Sequence, residues 1–167
     1  MRLTHILYLR RRFPSNSTIF TAPFTDQALY DETIQRAEFW ANDNFMGIDM
    51  TCLQEQSTKE NFGQPVVGYF NPDILLAENR GSHFVDFHTV TVEELKAFEI
   101  PFSHVVTKTA VCHGIAGWFD CDFIGSEKTV VLKTGPEAGG THWYQCRLMF
   151  QEPIAVNKGQ TLAGAMK

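Results

Sequence analysis

The chain has 167 residues, a formal net charge of −5, and 44% apolar and 20% charged residues. This composition is typical of a globular domain with a sizeable core and excludes a disordered chain. The acidic balance argues against a protein that binds nucleic acid by neutralising phosphates, and no apolar run approaches the length of a membrane span. A mildly acidic surface suits a basic protein partner, but it is also common in soluble proteins without one.

The first twelve residues differ in character from the rest of the chain. An apolar stretch at residues 6–9 is too short to cross a bilayer and is followed by three consecutive arginines. Two interpretations stay open, a nuclear-import or presequence signal and a ragged start unrelated to the domain. Residues 13–24 contain Pro14 and Pro23 and predict a connector with at most an edge strand.

A helix is predicted to begin at Thr25 and to run to about Asn42. The Thr25 hydroxyl can cap the free N–H groups of the first turn, and apolar residues recur behind it at helical spacing. Phe39 and Trp40 are neighbours and therefore lie about 100° apart on a helix. Only one of these large rings can face its own domain, so the other requires a second partner.

Residues 45–50 form a short apolar segment that Gly47 interrupts. When such a segment is exposed on a soluble protein, it usually marks a contact surface. The alternative is that it belongs to a helical pair capping one end of the following domain. The apolar residues concerned are Phe45, Met46, Ile48 and Met50.

From Gln64 onward the pattern is that of an antiparallel β protein. Thr91 and Glu94 have the spacing of a capping box, which predicts the start of a short helix. No βαβ unit is evident, so an antiparallel β-sandwich or β-barrel is predicted. The predicted strands are residues 83–90, 102–109, 110–123, 129–134 and 143–150.

The titratable residues of the predicted strand 110–123 do not form a catalytic set. His113 lies on an apolar face, which predicts a hydrogen-bonded core histidine. Asp120 and Asp122 are two residues apart and are predicted to lie on a solvated face. Cys112 and His113 point to opposite faces of a strand, so no metal site is expected.

The final motif is Gly139-Gly140-Thr141-His142-Trp143-Tyr144, a flexible loop that enters a strand. The strand is predicted to bury one apolar face, composed of Tyr144, Cys146, Leu148 and Phe150, and to expose Gln145 and Arg147. These residues alone leave two interpretations open. The loop either closes one end of the domain, with the tryptophan packed and the histidine in solvent, or holds both side chains at the mouth of a site.

The sequence Thr141-His142-Trp143 resembles the threonine-histidine-tryptophan loop of the protein arginine methyltransferases. Shorter motifs agree in order and spacing with the coactivator-associated, type I branch of that family: Ala22-Pro23-Phe24-Thr25-Asp26, Gln64-Pro65-Val66-Val67, Glu99-Ile100-Pro101-Phe102, His113-Gly114, Trp118-Phe119-Asp120 and Phe123-Ile124-Gly125-Ser126. The resemblance implies a β-barrel domain at residues 13–167 that is incomplete at its C-terminus. It also implies a helical dimerisation arm inserted at about residues 25–63, and residues 1–12 form an unmatched extension.

The resemblance also implies an activity. The complete enzyme would be a homodimer in the nucleus and cytoplasm that transfers methyl groups from S-adenosylmethionine to arginine in histone tails and RNA-associated proteins. The 167 residues contain no G-x-G-x-x-G pattern and nothing similar to the family's double-glutamate loop, so we expect neither a cofactor site nor activity from this chain alone. Direct nucleic-acid binding and membrane association are not expected.

By the same resemblance, His142 would support catalysis, while Thr141 and Trp143 would contact the substrate. The dimerisation residues would be Phe39, Trp40, Phe45, Met46, Ile48 and Met50. Two alternatives remain: a non-enzymatic protein-binding β-barrel module that acts through the arm, and a truncated gene product without a role of its own.

Overall fold

The structure, a computed structural model, describes residues 12–167 and is mainly β. The extension predicted at residues 1–12 lies outside the described residues except for Arg12. In chain order the elements are β1 (Asn16–Phe24), α1 (Gln27–Glu38), α2 (Gln54–Gly63), β2 (Val66–Gly68), β3 (Gly81–Asp86), α3 (Val92–Lys96), β4 (Ile100–Val105), β5 (Ala110–Ile124), β6 (Thr129–Lys133), β7 (Gln145–Val156) and β8 (Thr161–Met166). Short 3-10 helices lie at Phe39–Ala41, Thr51–Leu53 and Pro72–Ile74.

All strand pairs of the described chain are antiparallel. The larger sheet has the order β2-β7-β5-β1-β3, and β6 pairs with residues 120–124 of β5. Strands β4 and β8 form a separate two-stranded sheet. Within residues 12–167 the sheets do not close on each other. The prediction of a mainly β, antiparallel fold is confirmed.

Strand β1 corrects the prediction of a connector with at most an edge strand. It lies inside the large sheet, between β5 and β3. The ladder with β3 ends at Thr21, whereas the ladder with β5 continues to Phe24. The Pro23 carbonyl accepts a hydrogen bond from Leu76 N, so the side of Pro23 that lacks an N–H faces away from β5. Proline therefore interrupts neither ladder.

Strand β5 is the centre of the large sheet and pairs with β1, β7 and β6. The register with β7 shifts between Cys112 and Gly114, which indicates a β-bulge. A Cβ atom on Gly114 would lie 2.0 Å from the Leu148 carbonyl oxygen and 3.0 Å from the Phe24 ring. The close approach of β5 and β7 therefore requires glycine at this position.

Two apolar clusters form the core. The larger contains Ala22, Phe24, Leu75, Ala116, Trp118 and Met149, and residues of both α1 and α2 pack against it. The smaller contains Leu76, Val106, Cys112 and Val156. The helices thus lie over one face of the large sheet and share its core, so that burial of apolar area fixes them to it.

Helix α1 begins one residue later than predicted. Its N-cap is Asp26, whose carboxylate accepts a hydrogen bond from Leu29 N at 3.0 Å, and not Thr25. Both side chains suit an N-cap, so sequence alone does not decide between them. The predicted capping box of α3 is confirmed, since Thr91 and Glu94 make both reciprocal hydrogen bonds.

His104 on β4 is fully buried, and its Nδ1 lies 3.1 Å from the Asn79 carbonyl oxygen. Burial lowers the pKa of its imidazole most strongly, the hydrogen bond to Asn79 acts in the opposite direction, and the Arg80 cation lowers it further. Because the unfolded chain binds this proton more readily than the folded chain, protonation of His104 favours unfolding.

We expect the free energy of unfolding to be constant with respect to His104 above about pH 6.5, the ordinary histidine pKa. It should decrease as the pH falls from that value towards the lower pKa of the folded protein. Urea titrations at pH 8, 6.5 and 5.5 measure this, and the decrease should be smaller in His104→Gln. An equal decrease in this variant and the wild type would exclude His104 as the cause.

None of the helices at residues 12–167 is both long and apolar enough to cross a membrane. The same residues contain no group of three or more His, Cys, Asp or Glu side chains positioned to hold a metal ion.

Candidate functional site

The candidate loop, residues 139–144, lies in the connection between β6 and β7, beside the part of β5 where pairing changes from β7, at Gly117, to β6, at Asp120. Thr141 organises its turn: the Thr141 hydroxyl donates to the Trp143 carbonyl at 2.8 Å and accepts from Trp143 N at 3.2 Å. This local pattern is a side-chain-to-backbone turn typical of threonine. Thr141 therefore fixes the backbone on which His142 and Trp143 stand.

Aromatic side chains from distant elements hold the loop in place. The Tyr69 hydroxyl donates a hydrogen bond to the Thr141 carbonyl, and the Tyr69 ring lies 4.8 Å from the Tyr144 ring in a T-shaped pair. The Trp143 ring meets Phe119 edge-on at 6.3 Å. Such pairs stabilise a particular loop conformation beyond simple area burial. Local sequence patterns do not reveal the role of Tyr69, because it lies 72 residues from Thr141 in the chain.

His142 is exposed, and 52% of the Trp143 surface is accessible. Trp143 is therefore half-exposed beside Phe119 of β5 instead of plugging the core. The structure brings Thr141, His142 and Trp143 together as one exposed turn, in which side chains could meet a ligand that arrives from outside these residues.

Strand β7, which follows this loop, corrects the predicted orientation of its faces. Gln145 and Met149 are only 3% and 6% exposed, whereas Tyr144 and Leu148 are 51% and 38% exposed. The Gln145 amide donates to the Thr134 carbonyl at 2.7 Å. Buried polar groups are tolerated where such partners exist, and the prediction from polarity alone did not include them.

The predicted dimerisation residues cluster in the segment between α1 and α2. The Phe39 ring lies 5.4 Å from Trp40 and 5.6 Å from Phe45, both nearly perpendicular. Phe45 and Ile48 exchange two backbone hydrogen bonds of 2.8 and 3.0 Å. We call residues 45–48 the arm tip.

The two central residues of the arm tip have positive φ angles, 52° at Met46 and 86° at Gly47. A two-residue type I′ hairpin requires positive φ at both positions and favours Asn at the first. The tip instead places methionine there, with its side chain 89% exposed, and Ile48 is 64% exposed. An apolar residue thus occupies an exposed position that a polar residue suits better conformationally.

The comparison with known families matches residues 15–167 to the family described as Arginine methyltransferase oligomerization subdomain. The chain belongs to the arginine methyltransferase family. It is 39% identical over 154 residues to the Histone-arginine methyltransferase CARMER of Drosophila persimilis and to that of Drosophila virilis. These alignments cover 92% of this chain but only 29% and 28% of the two relatives.

Solved structures agree with this assignment. The Trypanosoma brucei PRMT1 enzyme-prozyme heterotetrameric complex with AdoHcy contains a chain that matches at a TM-score of 0.75 and 25% identity, over 92% of this chain and 46% of that one. Arabidopsis thaliana protein arginine methyltransferase 10 has the same fold, with a TM-score of 0.73, 22% identity, and coverage of 90% and 49%. This arginine methyltransferase chain thus spans less than half the length of each of these four relatives.

A charged cleft that the sequence does not predict lies beside the candidate loop. It has a volume of about 270 Å³ and is lined by Phe20, Arg80, Trp118, Asp120, Lys133, Gly135, Glu137 and Ala138. The Arg80 guanidinium lies 2.9 Å from the Glu137 carboxylate and 5.6 Å from the centre of the Trp118 ring. The pKa of the Asp120 carboxyl is raised, chiefly by burial and to a smaller extent by the nearby Asp122 carboxylate. A hydrogen bond from the Thr134 backbone N–H and the Lys133 cation lower this pKa but do not cancel the effect of burial. No periodic signal surrounds Arg80, so pattern analysis could not identify it.

Proposed function

We propose that this chain is the oligomerisation and substrate-facing part of a protein arginine methyltransferase. The full-length protein would transfer methyl groups from S-adenosylmethionine to arginine side chains of histones and RNA-associated proteins, in the nucleus and cytoplasm. The match of residues 15–167 to the oligomerisation subdomain carries this proposal. The 39% identity to relatives named histone-arginine methyltransferases supports the substrate class.

In this proposal the methyl donor binds to residues outside this chain, and two features of the described residues support that assignment. The cleft beside the loop holds about 270 Å³, and its two cations, Arg80 and Lys133, are balanced by the carboxylates of Asp120 and Glu137, so the cleft offers a sulfonium no excess of negative charge. Within residues 12–167, the caps of α1 and α2 are Asp26 and Leu53, not a glycine-rich turn that could hold a nucleotide-like ligand.

Trp143 and His142 would act on the substrate arginine. A guanidinium must be oriented with one nitrogen in line and shielded from water before it can accept a methyl group. The half-exposed indole of Trp143 can hold a guanidinium by a cation–π contact. The exposed His142 imidazole would pair with a carboxylate from another part of the enzyme, which would fix its tautomer. Thr141 would maintain the turn that positions both.

Residues 25–63 would form a dimerisation arm inserted in a domain at residues 13–167. The exposed Met46 and Ile48 side chains support this assignment, since apolar groups on a surface gain free energy when a partner covers them. In this proposal the arm tip, with Phe39, Trp40 and Met50 behind it, docks on a second subunit and yields a homodimer.

We expect the full-length protein to methylate a histone substrate and the isolated 167-residue chain to show no turnover. Trp143→Leu in the full-length protein should lower kcat/KM by roughly 10- to 30-fold, since it removes a desolvated cation–π contact that is worth up to about 2 kcal/mol. Transfer of radiolabelled methyl from S-adenosylmethionine measures all three proteins.

Val130→Thr is the matched control, because Val130 is an exposed apolar residue outside the loop and should not affect turnover. Turnover by the isolated chain would overturn the assignment of the donor site. A full-length protein without methyl transfer to any arginine-rich protein would overturn the proposed activity.

The exposed arm tip also favours a second candidate function, a non-enzymatic module that binds other proteins through the arm. Such a module would bind a full-length methyltransferase through the arm without methyl transfer. Co-purification of the two, abolished by Met46→Asn, would favour this function, whereas a clean monomer in the presence of the enzyme would exclude it.

A further inference from the structure

The Asp26 carboxylate connects the N-terminus of α1 to β7. Asp26 Oδ1 caps the helix by accepting from Leu29 N at 3.0 Å, and Asp26 Oδ2 lies 2.8 Å from Arg147 Nη1 on β7. The two side chains are only 20% and 12% exposed. A charge-assisted hydrogen bond with so little access to water is stronger and less screened than a surface ion pair.

His113 on β5 connects the same helix end to the centre of the sheet. Its Nδ1 accepts the Asp26 backbone N–H at 3.0 Å, so the proton of the neutral ring is on Nε2, which donates to Gln27 Oε1 at 3.1 Å. The side chain is 1% exposed, as expected for a hydrogen-bonded core histidine, and its ring lies 5.2 Å from Tyr30. Both ring nitrogens are therefore used to hold the first residues of α1.

Arg147 also lies where the chain returns from the arm. After α2 the chain enters β2, in which Val66 pairs directly with Arg147. The chain therefore meets Arg147 at both ends of the arm, through the Asp26 carboxylate at the first and through the β-ladder after the second. A further contact of α1 with β7 is the Tyr30 hydroxyl, which donates to the Gln151 carbonyl at 2.9 Å. The Arg147 guanidinium also lies 5.7 Å from the centre of the Phe70 ring, which limits its movement.

We infer that Asp26, His113 and Arg147 form a polar joint that fixes the direction of the arm relative to β7. The inference rests on the proposed role of the arm in dimerisation. Strand β7 begins two residues after Trp143, so the strand that orients the arm also carries the candidate loop. The three residues of the polar joint are positioning residues: they touch no substrate, and they act by directing the arm tip to its docking surface.

Two substitutions distinguish loss of the contact between Asp26 and Arg147 from loss of the helix cap. Asp26→Asn retains an N-cap acceptor but removes the charge paired with Arg147. Arg147→Met retains an apolar stem against Phe70 and removes the guanidinium. In the full-length protein, each should raise the dimer dissociation constant about tenfold, as for loss of one charge-assisted contact. The double variant should lose no more than the worse single variant, because both substitutions break the same contact.

Hydrogen exchange gives a measurement that does not depend on dimerisation. In both single variants, the amides of α1 should exchange faster while those of β1 and β5 keep their protection. Arg36→Met is the matched control, since Arg36 also pairs with a carboxylate on α1, Glu32 at 3.6 Å, but both side chains are more than half exposed. It should change neither measurement.

Additive losses in the double variant, or α1 amides exchanging as in the wild type, would overturn the polar joint. Loss of protection throughout the sheet would assign Asp26 and Arg147 to general stability and would also overturn it. If the wild type is a monomer while the α1 amides still respond, the joint stands as a local contact and the proposed dimerisation fails instead.

Discussion

Gly114→Ala should destabilise the domain by roughly 3 kcal/mol or more, the upper range for overpacking a core. Its Cβ would lie 2.0 Å from the Leu148 carbonyl oxygen, and a backbone atom of a neighbouring strand cannot move aside as a flexible side chain can. Relief requires β5 and β7 to separate, and the ladder between them carries the central part of the large sheet. Chemical denaturation of the purified variant measures this effect.

Gly68→Ala is the control for this experiment. Gly68 also lies in a strand of the large sheet, but a Cβ atom there would have no neighbour within 4 Å. Its unfolding free energy should stay within about 0.5 kcal/mol of the wild type. If Gly114→Ala were as stable as Gly68→Ala, the conclusion that the close approach of β5 and β7 requires glycine at residue 114 would be wrong.

Met46→Asn combined with Ile48→Thr should weaken dimerisation of the full-length protein by about 100-fold while the fold stays intact. Asparagine suits the positive φ of 52° at residue 46, so the hairpin turn should be no less stable. The change removes two exposed apolar side chains, and truncation of interface anchors of this kind costs about 2 kcal/mol or more. Analytical ultracentrifugation over a concentration series measures the dissociation constant, and thermal unfolding verifies the fold.

The matched control replaces exposed apolar residues away from the arm. Val130 and Val131 on β6 are 51% and 47% exposed, and their double replacement by threonine should leave the dissociation constant unchanged. Equal weakening by both pairs would indicate non-specific association. A wild-type dimer that the arm-tip variant leaves unaffected would place the subunit contact elsewhere.

Local patterns were sufficient to predict the mainly β class, the capping box of α3 and the core position of His113. They failed where long-range partners decide the outcome. The orientation of β7 depends on hydrogen bonds from Gln145 to Thr134 and from Arg147 to Asp26, residues that polarity patterns treat as exposed. Residues 13–24 were predicted as a connector with at most an edge strand, because the sequence alone does not show that the ladder with β3 ends before Pro23.

Strand β8 was not predicted, since its sequence is rich in small residues and has no clear alternation. Its Gly164 packs directly under the Phe102 ring of β4, at a distance where a Cβ would lie 2.8 Å from Cζ. The candidate loop could be located from the sequence, because Thr141-His142-Trp143 resembles a known loop and the shorter motifs before it occur in the expected order. Tyr69 and Arg80, which support its surroundings, are visible only once distant segments are brought together.

The pairing of β1 with β5 also affects how the chain folds. Asn16 has its partner at Asp122, and β5 in turn has partners on β7 as far as Val156. Contacts between residues so far apart in sequence are costly in loop entropy before they contribute stability, and folds dominated by them form slowly. During synthesis, β1 leaves the ribosome long before its neighbour exists, so its apolar residues must remain shielded until most of the domain has been made.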